Sequence, residues 1–139
     1  MSYLQLLDKL TLRRITRWSK RAEVGHEYKN MDPGEAADIR DANVVMSLRS
    51  DSRLAFFDDE DKHALLLDLD VPAHLIQSST PGHSHLYVDV AIPESRYFAL
   101  LDLLAECGVI EHGYAGASRA KGGSYLRLPW VKKEDQDAF

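Results

Sequence analysis

The order of apolar and polar residues predicts an α+β fold: a mainly antiparallel sheet of four to six strands with helices on one face. Three observations carry that expectation. A helical apolar pattern opens the chain, strand-like patterns follow from Asn43, and one further helical pattern interrupts them between Glu94 and Glu106.

The first helix is expected from Tyr3 to about Val24. Tyr3, Leu7 and Leu10, and then Leu4, Leu12, Ile15 and Trp18, recur at helical spacing, with basic side chains on the remaining surface. Ser2 suits its N-cap and Gly25 its stop. Asp32-Pro33-Gly34-Glu35 has the form of a helix start, with Asp32 as cap and Pro33 in the first turn. Val44 to Leu48 is a strand by composition, and Asp58 to Asp61 an acidic loop. Ala64 to Val71, stopped by Pro72, reads as the clearest strand. Leu75 to Ser78 and His85 to Val90 follow it, separated by the Ser79-Thr80-Pro81-Gly82 loop. Glu94 to Glu106 carries Tyr97, Phe98, Leu100, Leu101, Leu103 and Leu104 and meets Gly108, a helix with its stop signal. Val109 to Glu111 and Ser124 to Leu128 complete the expected strands. The sheet core then covers about 43–130, and 131–139 is a charged tail.

A chain of 139 residues, 45% hydrophobic and 28% charged, is expected to form a single domain over 1–139 with a core that needs no staples. Such a composition excludes a collagen, a disulfide scaffold and a disordered chain. Cys107 is the lone cysteine, which fits a reducing compartment or indifference to redox. No apolar run has the length of a membrane span, and the N-terminus lacks the apolar region of a signal peptide. A soluble, cytoplasmic protein without a membrane partner is the expectation.

Charge is segregated. Residues 1–22 hold Lys9, Arg13, Arg14, Arg17, Lys20 and Arg21 against Asp8 alone, whereas residues 23–111 hold eighteen acids against six bases. The five bases of 112–139 face three acids, all within the last six residues. Basic ends flanking an acidic centre suit a site for polyanions around metal-binding carboxylates, and equally suit solvated faces.

Strand alternation nominates the site. Leu65, Leu67, Leu69 and Val71 would point one way, Asp68 and Asp70 the other; Leu86, Val88 and Val90 would oppose His85, Tyr87 and Asp89. Arg127 alternates likewise between Leu126 and Leu128. If these strands are neighbours, one face is core and the other displays Asp68, Asp70, His85, Asp89 and Arg127. Paired carboxylates two apart repel unless a cation lies between them, and hard oxygen ligands suit Mg²⁺ or Mn²⁺. The plain alternative is the solvated face of a one-sided sheet. His83-Ser84-His85 is also an HxH pair, which suits zinc or a metal-dependent phosphohydrolase. Arg119, Lys121, Arg127, Lys132 and Lys133 could meet phosphates, with Tyr125 or Trp130 as stacking faces.

Three stretches carry a resemblance: Leu67-Asp68-Leu69-Asp70-Val71-Pro72, then Ser78-Ser79-Thr80-Pro81-Gly82-His83-Ser84-His85-Leu86-Tyr87, then Leu126-Arg127-Leu128-Pro129. In this order they resemble the archaeo-eukaryotic primase superfamily, which includes the primase-polymerases, over roughly 64–130. The resemblance implies a catalytic-core half similar to the RNA-recognition motif. It matches Asp68 and Asp70 to the first, metal-binding motif, His85 to the second, phosphate-gripping motif, and Glu111 to the third acid, with Asp89 as the other candidate for that place. It further implies that Ser79, His83, His85 and Arg127 bind a nucleoside triphosphate, and that a primer 3′-hydroxyl attacks its α-phosphate on DNA, as in replication. Small phage proteins look similar, so the resemblance also implies a bacteriophage protein working in the host cytoplasm. The alternative within it is a catalytically degenerate relative that binds a host or phage protein partner.

Overall fold

The computed structural model describes residues 1–15, 33–51 and 60–132. They form an α+β structure of three helices and two small antiparallel sheets. The chain divides into two compact units, Met1–Asp68 and Leu69–Phe139.

The first unit begins as expected and then departs. Ser2 caps helix α1 (Tyr3–Leu7): its hydroxyl accepts from the Gln5 amide at 3.2 Å, while the Gln5 side chain accepts from the Ser2 amide at 2.7 Å. Two orphan donors are thereby satisfied reciprocally. The helix stops at Asp8, however, and Leu10–Ile15 is a strand, β1. Local helical spacing loses here because β1 is central, with a ladder on each side. It pairs antiparallel with β2 (Pro33–Glu35) and with β3 (Val44–Arg49), with a bulge between Leu10 and Thr11 on the β3 side. Ladders to two strands outweigh a propensity difference of a fraction of a kcal/mol per residue. Residues 16–24 of the expected helix, and the Asp32 cap, lie outside the described residues.

Pro33-Gly34-Glu35 is a strand and not a helix start. Its place at the sheet edge suits a proline that cannot donate. Strand β3 matches the expected Val44–Leu48. Asn43 lengthens its pairing: its side chain accepts from the Ile15 amide and donates to the Ile15 carbonyl, both at 2.8 Å. On the far side of β3, His63 bridges Leu48 and its Nδ1 lies 2.8 Å from the Ser47 hydroxyl. Leu7, Leu10 and Ile15 are the buried apolar residues described in this unit.

Beyond that bridge, 64–72 forms no strand. The stretch has no β-branched residue before Val71, and among the described residues no neighbouring strand supplies it with a ladder. Leu65, Leu67 and Leu69, expected in the core, are exposed.

In the second unit, β4 (Ala73–Gln77) and β5 (Ser84–Val88) form a hairpin with His74 opposite Tyr87, Leu75 opposite Leu86 and Ile76 opposite His85. Helix α2 (Glu94–Glu106) has the expected bounds. It closes with the Gly108 amide on the Ala105 carbonyl and the Val109 amide on the Leu104 carbonyl, Gly108 lying at φ +79°.

Val109–Glu111, expected as a strand, is the short link to a third helix, α3 (His112–Lys121). Small residues explain that helix: Ala115 packs beside Phe98, Leu101 and Ala105 of α2, with Tyr97 and Ile110 against the cluster. Ser124–Leu128 lies outside any strand. Among the described residues, no helix is long and apolar enough to cross a membrane.

Candidate functional site

The hairpin turn and the segment after α3 bring two nominated residues, Ser79 and Arg127, together. Ser78 and His83 close the turn, the Ser78 amide donating to the His83 carbonyl at 3.0 Å. Inside it the His83 amide bonds the Thr80 carbonyl at 3.1 Å, the Thr80 amide bonds the Ser78 hydroxyl at 3.2 Å, and Gly82 takes φ +80°. A hydroxyl bonded to the amide two residues on, together with a left-handed glycine, is local turn chemistry. Ser79 is exposed on this turn. Arg127 Nη1 donates to its hydroxyl at 3.4 Å, across 48 positions of sequence.

The segment that delivers Arg127 is anchored. Helix α3 ends at Gly122, φ +76°, where the Gly123 amide bonds the Ser118 carbonyl at 2.9 Å. Tyr97 then donates its hydroxyl to Ser124 Oγ at 2.5 Å, and Ser124 donates to Ser118 Oγ at 2.9 Å. Ser118 is the buried polar residue of this chain of bonds. Arg119, one residue on, pairs with Asp102 and lies 5.4 Å over the Phe98 ring, tying α3 to α2.

The remaining nominated residues lie between the strands, in the hairpin and at the start of α3. Asp68 is the last residue of the first unit and Asp70 the second residue of the next; both are exposed and neither is on a strand. His85 is half-buried in β5, opposite Ile76. Asp89 is exposed just past β5, its amide on the Pro72 carbonyl at 2.9 Å. Glu111 is exposed at the N-cap of α3, where its side chain makes no cap bond. His83 is exposed in the turn.

The leucines of the hairpin depart from the expected phase. Leu75 and Leu86, opposite each other, are 71% and 50% exposed, whereas His85, Tyr87 and Ile76 occupy the more covered face. His74 on that face is exposed, and Ala73 and Val88 on the other are half-buried, so both faces of the hairpin are partly covered.

Among the described residues, no three His, Cys, Asp or Glu side chains gather as a metal site requires. Two shallow depressions, of about 380 and 390 Å³, lie beside Leu7, Leu12 and Ile39 in the first unit and contain none of the nominated residues. Sequence reasoning missed Ser118 and Ser124, which hold the Arg127 segment; the spacing of Ala115 and Ser118 on one helical face was the available signal. No family model, curated protein or solved structure matches the chain.

Proposed function

We propose that the second unit is a nucleotide-handling domain that recognises the phosphates of a nucleoside triphosphate between the Ser78–His83 turn and Arg127. The single observation that carries this reading is the 3.4 Å approach of Arg127 Nη1 to Ser79 Oγ. A guanidinium presents a planar fork that matches phosphate oxygens two at a time, and a serine hydroxyl both donates and accepts. The bond between them is long enough to be exchanged for a phosphate at little cost. His83 and His85, on and beside the turn, add donors of the same kind.

The resemblance of the 67–72, 78–87 and 126–129 stretches to the primase-polymerases supports a more specific form of the proposal. In that form the hairpin and α2 belong to a core similar to the RNA-recognition motif, and the bound triphosphate is the substrate of nucleotidyl transfer onto DNA. Binding is the part supported by geometry. Arg127 would hold and orient the phosphates, and Ser79 would fix the guanidinium between binding events.

Calorimetric titration with a nucleoside triphosphate, with and without Mn²⁺, tests the proposal. Wild-type binding that weakens in Arg127→Ala and in Ser79→Ala is the expected result. Equal affinity in wild type and both variants, or none in any, overturns it.

A further inference from the structure

Residues 112–132 contain Arg119, Lys121, Arg127 and Lys132 and not one acid. In the same stretch Tyr125 is 70% and Trp130 76% exposed. Neither ring is placed by the triphosphate reading. Their mounting is ordered: Lys121 Nζ lies 5.4 Å from the centroid of the Tyr125 ring, and Ser124, next to Tyr125, is held by Ser118 and Tyr97. Trp130 occupies the third position of a turn closed by the Val131 amide on the Leu128 carbonyl at 3.0 Å, with Pro129 setting the turn's first bend. Trp130 follows Tyr125 by five positions, so their backbone positions are at most about 18 Å apart. One short strand can span both.

We infer that Lys121, Tyr125, Trp130 and Lys132 form a stacking platform for single-stranded nucleic acid. Every base has a π-face, so exposed aromatic rings accept unpaired bases without regard to sequence, while nearby ammonium groups neutralise the phosphates between them. A ring already carrying a cation on one face still offers the other. Duplex ends offer few such faces, which favours a single strand. The inference rests on the nucleotide-handling reading for its setting but uses different side chains from Ser79 and Arg127, so the two can fail separately.

Fluorescence anisotropy of the full chain with a labelled oligothymidylate of about 12 nucleotides, within the usual site size, tests it against an abasic strand of equal length. The oligothymidylate should bind more tightly than the abasic strand. Tyr125→Ala and Trp130→Ala should each weaken that binding roughly tenfold, leaving the melting temperature and triphosphate affinity unchanged. Lys121→Gln and Lys132→Gln should each lower the slope of log affinity against log salt by about one. Strand binding in a chain that binds no triphosphate would sink the triphosphate proposal and leave the platform standing. The platform is overturned if oligothymidylate does not bind, if the abasic strand or polyglutamate binds as well, or if the aromatic variants bind as wild type does.

Discussion

Arg127 reaches Ser79 from 48 positions away, its guanidinium donating to the hydroxyl at 3.4 Å. The contact joins a hairpin turn to the segment that α3 releases, and each side is held independently. The turn is closed by Ser78 and His83; the segment is pinned by Ser124. Both ends of the pair are thus fixed by bonds other than their own.

Arg127→Ala should therefore cost less than about 1 kcal/mol of stability, in the range of substitutions outside the core. It should weaken triphosphate binding about tenfold or more, since a charge-assisted bond to phosphate is worth roughly 1.5–3 kcal/mol. Arg127→Lys should recover only part of the affinity, because an ammonium cannot reproduce the fork. A chemical melt beside a calorimetric titration measures both quantities. A large loss of stability without loss of binding would make Arg127 a structural residue.

Two glycines of α3 should respond in opposite directions. Gly122 ends the helix at φ +76°, so Gly122→Ala forces a left-handed alanine and should destabilise by about 1 kcal/mol. Gly116 sits in the helix interior with nothing within 4 Å of an added Cβ. Gly116→Ala should stabilise by about 0.5–1 kcal/mol. Thermal or urea melts of both variants check the helix and its end together.

Core and surface leucines should separate cleanly. Leu101 is buried against Ala115, and Leu101→Ala should cost about 2–5 kcal/mol. Leu86, exposed on the hairpin, should tolerate Leu86→Thr within about 0.5 kcal/mol. A loss above 2 kcal/mol at Leu86 would restore the alternation read from sequence, with that leucine inside.

One surface pair should leave a pH signature. Arg49 donates through Nε and Nη2 to the Asp51 carboxylate, each at 2.8 Å, and holds its pKa down from 3.8 to about 2. The folded value lies below the unfolded one, so the pair's contribution is complete above the unfolded pKa and disappears as pH falls toward about 2. The difference in melting temperature between wild type and Asp51→Asn should accordingly be present near neutral pH and vanish at the acid end. Added salt should shrink it, since the pair is exposed. A difference that persists unchanged through the acid range would refute the pairing.

What the sequence by itself determined are the elements whose bonds are local. Phe98, Leu101 and Ala105 recur at helical spacing and Gly108 permits the closing turn, so α2 was legible residue by residue. The Ser2 cap and the hairpin with its Ser-Thr-Pro-Gly turn were legible for the same reason, and β3 from its β-branched pair Val44-Val45. Ser79 and Arg127 could each be nominated from sequence; that they meet could not. Tertiary structure decided the rest. Leu10–Ile15 has both helical spacing and strand-forming residues, and its two partner strands chose between them. His112–Lys121 is too rich in glycine and polar residues to announce a helix, yet Ala115 is small enough to fit against Phe98. The hairpin's alternation was read correctly in period, but Leu86, expected on the core face, is exposed while His85 is half-buried. A helix closes its bonds within four residues, so its sequence carries its own instructions. A strand takes its partner, and the face it buries, from residues far along the chain.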